Sequence, residues 1–210
     1  GMMNTETQII REKQSVGAFY GYELAGIQDG VWYFNTPNGG IVDTDMATEN
    51  HKKILGSAQP WFTFGWNNTV RYKEFDFSLF FRGVVGNKIL NLTRWAFGPM
   101  PSVSSNIFMK DIKGNDTVLA NKSVFSDYYL ESGSFVKLDN ITIGYTFNLK
   151  NKLVDNLRIY LTGQNLATIT KYSGQDPEVN TTSVWESGID YCSFYPTVAT
   201  ILFGVNVSFK

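Results

Sequence analysis

Apolar and polar residues alternate along the segment from Thr200 to Phe209. The two sets, on opposite sides of an extended chain, are Ile201, Phe203, Val205, Val207 and Phe209 against Thr200, Leu202, Gly204, Asn206 and Ser208. Because a strand points successive side chains to opposite faces, the segment predicts one apolar face and one mostly small or polar face. Strands of this kind, with an aromatic residue near the end, are typical of outer-membrane β-barrels. A half-buried strand of a soluble sandwich gives the same alternation.

The same alternation predicts five further strands, at 17–27, 61–72, 75–85, 135–147 and 157–165. In the segment 135–147, the apolar positions change parity at Asp139-Asn140. A change of parity within one strand indicates an extra residue, so we expect a β-bulge there.

The connections between these strands are strongly unequal in length. Those at 73–74 and 148–156 are short, whereas those at 28–60, 86–134 and 166–197 are long. Because short and long connections alternate along an up-and-down chain, every long connection leaves the sheet at the same end. Outer-membrane barrels have this asymmetry, and long loops are uncommon in compact soluble domains. At the short-turn end, Tyr72, Phe75, Phe147 and Phe209 share the apolar parity, as expected of an aromatic girdle.

The pattern therefore predicts an all-β fold: about six antiparallel up-and-down strands of a transmembrane β-barrel, with long loops at one end. A membrane barrel needs at least about 8 strands, and an open sheet edge cannot face lipid. The chain then forms part of a larger barrel, closes with other copies, or folds as a soluble sheet. We treat residues 1–16 as an N-terminal extension and 17–210 as one barrel segment.

Composition excludes several other classes of protein. The chain has 18 basic and 19 acidic residues and no basic block, which argues against nucleic-acid binding. Aromatic residues make up 15%, which favours strands. The single cysteine, Cys192, excludes an internal disulfide, and the single histidine, His51, argues against a zinc site. No apolar run is long enough for a membrane helix, and the polar start shows no signal peptide.

An ordered series of short motifs spans nearly the whole chain. They include VGAFYGY at 16–22, GSAQP at 56–60, FDFSLFF at 75–81, YLESGSFVKLDNITIGY at 129–145, LRIY at 157–160, GQNL at 163–166, YSGQDPE at 172–178 and YPT at 195–197. As a set, these motifs resemble the C-terminal portion of SusC/RagA-type TonB-dependent outer-membrane transporters of Bacteroidetes.

The resemblance implies a structural and transport role without catalysis or cofactor. Such transporters are plugged barrels of about 22 strands that import glycans or peptides with a SusD-like lipoprotein. This chain corresponds to roughly the last quarter of such a barrel, with the plug, the TonB-contacting segment and the signal peptide outside it. The expected partners are the remaining barrel and plug, the lipoprotein, an oligosaccharide or peptide substrate, and the outer membrane. The lumen-facing residues implied are Thr63, Asn67, Arg71, Asp76, Ser78, Arg82, Arg158 and Thr162.

The chain departs from the family pattern at two places. The segment 42–50 stands where the family carries an acidic, glycine-rich stretch, so the role of that loop is open. The terminal aromatic residue, Phe209, is followed by Lys210, which we expect to weaken recognition by barrel-assembly machinery.

Three aromatic residues of the long connections, Trp95, Trp185 and Tyr191, are candidates for substrate binding. Aromatic rings stack on sugar faces or anchor protein interfaces. The alternative for each is packing within its own loop.

Two groups of carboxylates suggest other chemistry. Asp43, Asp45 and Glu49 could offer oxygen ligands to calcium, but the spacing of known calcium loops is absent and a solvated acidic loop is the preferred interpretation. Asp176 and Glu178 could form the acid pair of a glycosidase, whereas the Pro-containing sequence favours a turn. We therefore expect no catalytic residue and no metal ligand.

One alternative function stays open. A free-standing soluble β-domain could bind carbohydrate or protein through the same long loops. Such a domain would be a monomer without detergent, with both sheet faces covered.

Overall fold

The computed structural model describes residues 6–29, 31–97, 124–149, 153–179, 186–191 and 195–210. The strands are β1 (Gln8–Ile9), β2 (Ala18–Gly21), β3 (Glu23–Gln28), β4 (Val31–Asn35), β5 (Ile41–Asp43), β6 (Lys53–Ser57), β7 (Phe62–Tyr72), β8 (Phe75–Val85), β9 (Lys88–Asn91), β10 (Leu130–Ser132), β11 (Phe135–Asn148), β12 (Val154–Thr170), β13 (Ile189–Asp190) and β14 (Thr200–Phe209). The helices are α1 (Leu92–Phe97) and two 3-10 turns, Glu49–His51 and Asp127–Tyr129. None of the helices in these ranges has the length and hydropathy that a membrane-spanning helix needs.

The chain forms two compact units that alternate along the sequence. Unit 1 comprises Gly1–Trp61, Gly86–Gly133 and Lys171–Tyr195, and unit 2 comprises Phe62–Val85, Ser134–Thr170 and Pro196–Lys210. Unit 1 thus contains the N-terminal part and the long connections, whereas unit 2 contains the long strands.

Unit 2 is one antiparallel sheet of five strands in the order β14-β12-β11-β8-β7. Each strand pairs with the sheet strand nearest to it along the chain, so the sheet is an up-and-down meander. Lys73-Glu74 is a two-residue turn, because Tyr72 and Phe75 face each other across β7 and β8. The predicted bulge is confirmed, since the register of β11 shifts between Leu138 and Asn140 against both neighbours.

The two ends of this sheet differ as the sequence predicts. At one end, a tight turn joins β7 to β8 and the short segment 149–153 joins β11 to β12. At the other end, the chain leaves β8 and β12 for its long connections. The alternation of apolar and polar residues along these strands favours extended structure, because it places mainly apolar side chains on one face of each strand.

Unit 1 consists of three small sheets around an aromatic core. The sheets have the orders β1-β2-β6, β3-β4-β5 and β10-β9-β13. In β4, Trp32 and Phe34 are fully buried, whereas Val31 is exposed, so alternation again selects the inner face. The core of this unit comprises Phe19, Tyr22, Trp32, Phe34, Ala58, Leu90, Leu92, Phe125, Tyr129, Leu130 and Ile189.

The predicted strand at 17–27 does not join the large sheet. It forms two short strands, β2 and β3, which pair in two different sheets of unit 1. Five of the six predicted strands therefore form the wall-like sheet. The division of the chain at residue 16 stays a prediction.

Candidate functional site

One face of the five-stranded sheet is apolar along its length, apart from the Asn68 side chain on β7. We call it the outward face. Its side chains include those of Phe62, Phe64, Trp66, Asn68, Val70, Tyr72, Phe75, Phe77, Leu79, Phe81, Val136, Leu138, Ile141, Ile143, Tyr145, Phe147, Leu157, Ile159, Leu161, Ile201, Phe203, Val205, Val207 and Phe209, assigned from the strand register. These positions carry no charge, and many are exposed, with Phe203 at 70%. A large exposed apolar surface marks contact with lipid or protein.

Aromatic residues line the outward face at its short-turn end. The ring of Phe75 packs on that of Tyr145, and Tyr145 packs on Phe147, each with ring centres 4.6 Å apart. Tyr72 and Phe209 lie at the same end and are 67% and 74% exposed. The arrangement matches the aromatic girdle at the boundary of a membrane.

The opposite face, here the inward face, carries the charged side chains. Arg71 faces Asp76, Thr69 faces Ser78, and Thr142 faces Thr162 across neighbouring strands. The hydroxyls of Thr142 and Thr162 lie 2.8 Å apart. The register places all eight predicted lumen-facing residues on this one face.

An ion pair spans three strands on the inward face. Arg158 donates two hydrogen bonds to the Asp76 carboxylate, from Nε at 2.8 Å and from Nη2 at 2.6 Å. Gly144 lies on β11, between the strands that carry the two residues. A Cβ atom at Gly144 would stand 2.5 Å from Asp76 Oδ1 and 2.7 Å from Arg158 Nη2. The missing side chain is what lets the pair cross the middle strand.

The bulge creates a second charged contact. Asp139 is the extra residue of β11, and its carboxylate accepts a hydrogen bond from Arg82 Nε at 2.8 Å. Asn165, opposite the bulge on β12, has a positive φ of 52°, a conformation that asparagine tolerates. Lys137, two residues before Asp139, is fully buried and donates to Thr197 Oγ1 at 2.9 Å. Bulges of this kind redirect side chains.

The candidate substrate-binding aromatics lie in different surroundings. Trp95, in α1, packs against the core of unit 1, with its ring 4.6 Å from that of Tyr129 and 6.0 Å from that of Phe125. Tyr191 is 42% exposed; burial raises the pKa of its phenol, and the nearby Glu186 carboxylate raises it further. Trp185 lies outside the described residues. The structure shows no ring contact between Trp95 and Tyr191, and substrate binding by these three residues stays a prediction.

A carboxylate joins the long connections within unit 1. Glu131 accepts hydrogen bonds from Asn91 Nδ2 at 3.0 Å, from the Ser173 amide at 2.8 Å and from Ser173 Oγ at 2.7 Å. Arg94 Nη1 lies 3.8 Å from the same carboxylate. Glu131 thereby ties 130–132 to both 88–97 and 171–173. Sequence reasoning missed this role, because the partners are far apart along the chain.

In the two carboxylate groups that the sequence suggests for metal binding or catalysis, Asp43, Glu49 and Asp176 have local partners. Asp43 Oδ1 accepts from the Met46 amide at 2.9 Å, and Glu49 pairs with Lys52. Asp176 Oδ1 accepts from the Glu178 amide at 3.0 Å, as in a turn. Within the described ranges, no group of three or more histidine, cysteine or acidic residues has the arrangement of a metal site.

Comparison with known proteins gives relatives over almost the whole chain. TonB-dependent receptor P3 of Formosa agariphila is 34% identical over 99% of this chain, which covers 23% of that receptor. TonB-dependent receptor SusC of Bacteroides thetaiotaomicron is 30% identical over 98% of the chain, which covers 21% of SusC. The chain thus spans less than a quarter of each relative. No family model matches it.

Solved structures show the same fold. The structure of the RagAB peptide transporter superposes with a TM-score of 0.72 over 90% of this chain and 22% of that chain, at 24% identity. The same importer in its open-open state gives a TM-score of 0.71 at 21% identity.

Proposed function

Because this chain belongs to the TonB-dependent receptors of the SusC/RagA type, we propose that it forms part of the wall of an outer-membrane nutrient importer. Its outward face contacts lipid, and its inward face lines the lumen or contacts the plug. The chain acts structurally and in transport, without catalysis. The observation that carries the proposal is the uncharged outward face opposite the ion pairs of the inward face.

The dimensions of the strands support this role. β7 and β8 each have 11 residues. At about 3.3 Å per residue and a tilt of about 45°, such strands span the apolar band of an outer membrane, which is about 25 Å tall. The aromatic girdle at the short-turn end then marks the periplasmic boundary, and the long connections lie on the extracellular side.

The long connections are the proposed surface for substrate and partner. In this proposal they form part of the vestibule for an oligosaccharide or peptide and part of the contact with a SusD-like lipoprotein. Tyr191, Trp95 and Trp185 are the proposed substrate-contacting aromatics. Relatives named as TonB-dependent receptors and the fold of a peptide transporter support the proposal.

The test is the accessibility of neighbouring positions on β7 in the complete receptor. A nitroxide label is attached to Val70→Cys, on the outward face, and separately to Thr69→Cys, on the inward face. We expect the Val70 label to collide with oxygen dissolved in the lipid, and the Thr69 label to show much lower oxygen accessibility. Equal accessibility to a water-soluble reagent at both positions would contradict the proposal, because lipid would then not cover the outward face.

A further inference from the structure

The guanidinium group of Arg94 makes no hydrogen bond to any described residue, although most of the side chain is buried. The side chain is 32% exposed, and the Glu131 carboxylate lies 3.8 Å from Nη1, which is too far for a hydrogen bond. The backbone amide of Arg94 is bonded instead, to Asn91 Oδ1 at 2.8 Å. Nε and Nη2 of Arg94 are not among the buried, unpartnered side-chain atoms of the described chain, so these donors reach solvent.

Two other arginines of similar exposure use their donors differently. The Arg158 side chain is 28% exposed and gives two hydrogen bonds to Asp76. The Arg82 side chain is 32% exposed and donates to Asp139. A guanidinium group carries five N–H donors in a planar fork that matches a carboxylate. Arg94 therefore keeps this fork available at a position where a comparable arginine has a carboxylate partner.

An aromatic platform holds the Arg94 guanidinium in place. Its Cζ atom lies 4.2 Å from the centre of the Tyr128 ring. That ring meets Trp32 and Tyr129 edge to face, with ring centres 5.2 Å and 5.1 Å apart. Because Trp32 is fully buried, the platform is anchored in the core of unit 1. A guanidinium stacked on a fixed ring loses less freedom when it binds a ligand.

The neighbouring carboxylate does not use the donors of Arg94. Oε1 of Glu131 accepts from Asn91 Nδ2 and from Ser173 Oγ, and Oε2 accepts from the Ser173 amide. Both oxygens are thus engaged by groups other than the guanidinium. Glu131 attracts the Nη1 side of Arg94 through its charge, and the edge formed by Nε and Nη2 remains for a second carboxylate.

We propose that Arg94 binds a carboxylate group of the imported substrate through this edge. A carboxylate can come from the end or an acidic side chain of a peptide, or from a uronic acid of an oligosaccharide. Arg94 directly precedes Trp95, one of the proposed substrate-contacting aromatics. The inference rests on the proposed function, because it requires the long connections to line the vestibule. It adds that the substrate is acidic.

The test compares matched probes that differ only in the carboxylate. One pair is an N-acetylated alanine–serine peptide and its C-terminal amide, and the other is a galacturonic acid oligosaccharide and its methyl ester. Binding to the purified complete receptor is measured by calorimetry. We expect the acid of one pair to bind about tenfold or more tightly than its uncharged derivative, and that pair identifies the source of the carboxylate. No preference for the acid in either pair would overturn the inference.

Variants then assign the preference to the Arg94 fork. In Arg94→Gln the acid and its uncharged derivative should bind equally well. Arg94→Lys should also lose the preference, because lysine keeps the charge but not the planar fork. The matched control is Arg11→Gln, since Arg11 is exposed and lies over the Tyr20 ring at 5.7 Å. A preference that persists in Arg94→Gln or Arg94→Lys, or that disappears in Arg11→Gln, would overturn the inference.

The spin labels on β7 separate this inference from the proposed function. If the Val70 label lies in lipid and the receptor shows no preference for the acid, the inference fails and the proposed function stands. If water-soluble reagents reach the Val70 and Thr69 labels equally, the proposed function itself fails.

Discussion

Asp76 and Arg158, 82 positions apart along the chain, form a two-point ion pair that passes over Gly144 on the strand between them. The pair fastens β8 to β12 across β11 on the face that we assign to the lumen. The two charged groups fill the space above Gly144, so a side chain at this position would collide with them. Glycine is required there for this reason and not for its backbone conformation.

Gly144→Ala should therefore destabilise the receptor by about 1–3 kcal/mol, since a methyl group would displace the ion pair. The measurement is the free energy of unfolding in urea, in lipid vesicles. Gly26→Ala is the matched control, because nothing lies within 4 Å of a Cβ atom there. Equal losses for the two variants would show that the space above Gly144 is not the cause.

The ion pair itself can be measured with a double-mutant cycle. The Asp76 and Arg158 side chains are only 22% and 28% exposed, so water screens them incompletely. We expect Asp76→Asn and Arg158→Gln to show a coupling free energy of about 1–3 kcal/mol in unfolding experiments. Additive effects of the two substitutions would mean that the pair contributes no net stability.

The turn at Lys73-Glu74 contains a strained residue. Lys73 has a positive φ of 54°, which costs a residue with a side chain about 1 kcal/mol relative to glycine. Lys73→Gly should raise the free energy of unfolding by up to about 1 kcal/mol. Glu74→Gly should lower it, because Glu74 has no positive φ and glycine adds freedom to the unfolded chain. The prediction is wrong if both glycines act in the same direction.

Glu131→Ala should loosen the joined connections of unit 1. The substitution removes the acceptor of the Ser173 amide and the nearer of the two acceptors of Asn91 Nδ2, at a cost of about 1–3 kcal/mol. The measurement is hydrogen–deuterium exchange, which should become faster at 88–97 and 171–173. Ser173→Ala removes the hydroxyl that donates to Glu131 and accepts from Asn91, but it keeps the bond of the Ser173 amide and should change exchange less. Unchanged exchange in Glu131→Ala would show that other contacts hold these segments.

The small sheet β3-β4-β5 should loosen in acid. Glu23 accepts hydrogen bonds from Lys53 at 2.7 Å and from Asn35 at 3.0 Å, and chiefly the Lys53 bond lowers the pKa of its carboxyl below 4.5. A carboxyl group whose pKa is lower in the folded chain than in the unfolded chain stabilises the fold at pH values above its unfolded-state pKa. This stabilisation disappears as the pH falls through its folded-state pKa. Because the Glu23 and Lys53 side chains are 35% and 45% exposed, solvent screens the pair and the effect is small.

Hydrogen–deuterium exchange over 23–35, measured from about pH 6 to about pH 3, tests this dependence. In the acid part of the range, protection against exchange should decline more in the native chain than in Glu23→Gln. Parallel profiles for the two proteins would contradict it.

The long strands could be predicted from sequence because each keeps a period of two over many residues. The bulge was predictable from the change of parity at Asp139-Asn140, and the turn from the two polar residues between Tyr72 and Phe75. Alternation predicts a single strand at 17–27, because it does not indicate which sheet a short strand joins. Its first part, β2, pairs with β6, which lies more than 30 positions away along the chain. Its second part, β3, pairs with the adjacent strand β4.

The contacts of the inward face were only partly predictable. Parity predicts that Asp76 and Arg158 lie on the polar face of their strands, but the ion pair depends on Gly144, whose role is visible only when three strands are in register. Glu131 gave no signal, since a lone glutamate in a long connection has no periodic context. Trp95 is of a residue type that often contacts ligands, but in the structure its ring packs against that of Tyr129.

The meander has a consequence for the order in which the five-stranded sheet assembles. Each wall strand pairs with its nearest wall strand along the chain, so both β7-β8 and β11-β12 can form as independent hairpins. Joining them requires closure of the connection 86–134, whose entropic cost grows only slowly with length. New hairpins can then be added at β7 or β14 without breaking a pair already made. Evolution can lengthen or exchange the long loops while the order in which the wall is built stays the same.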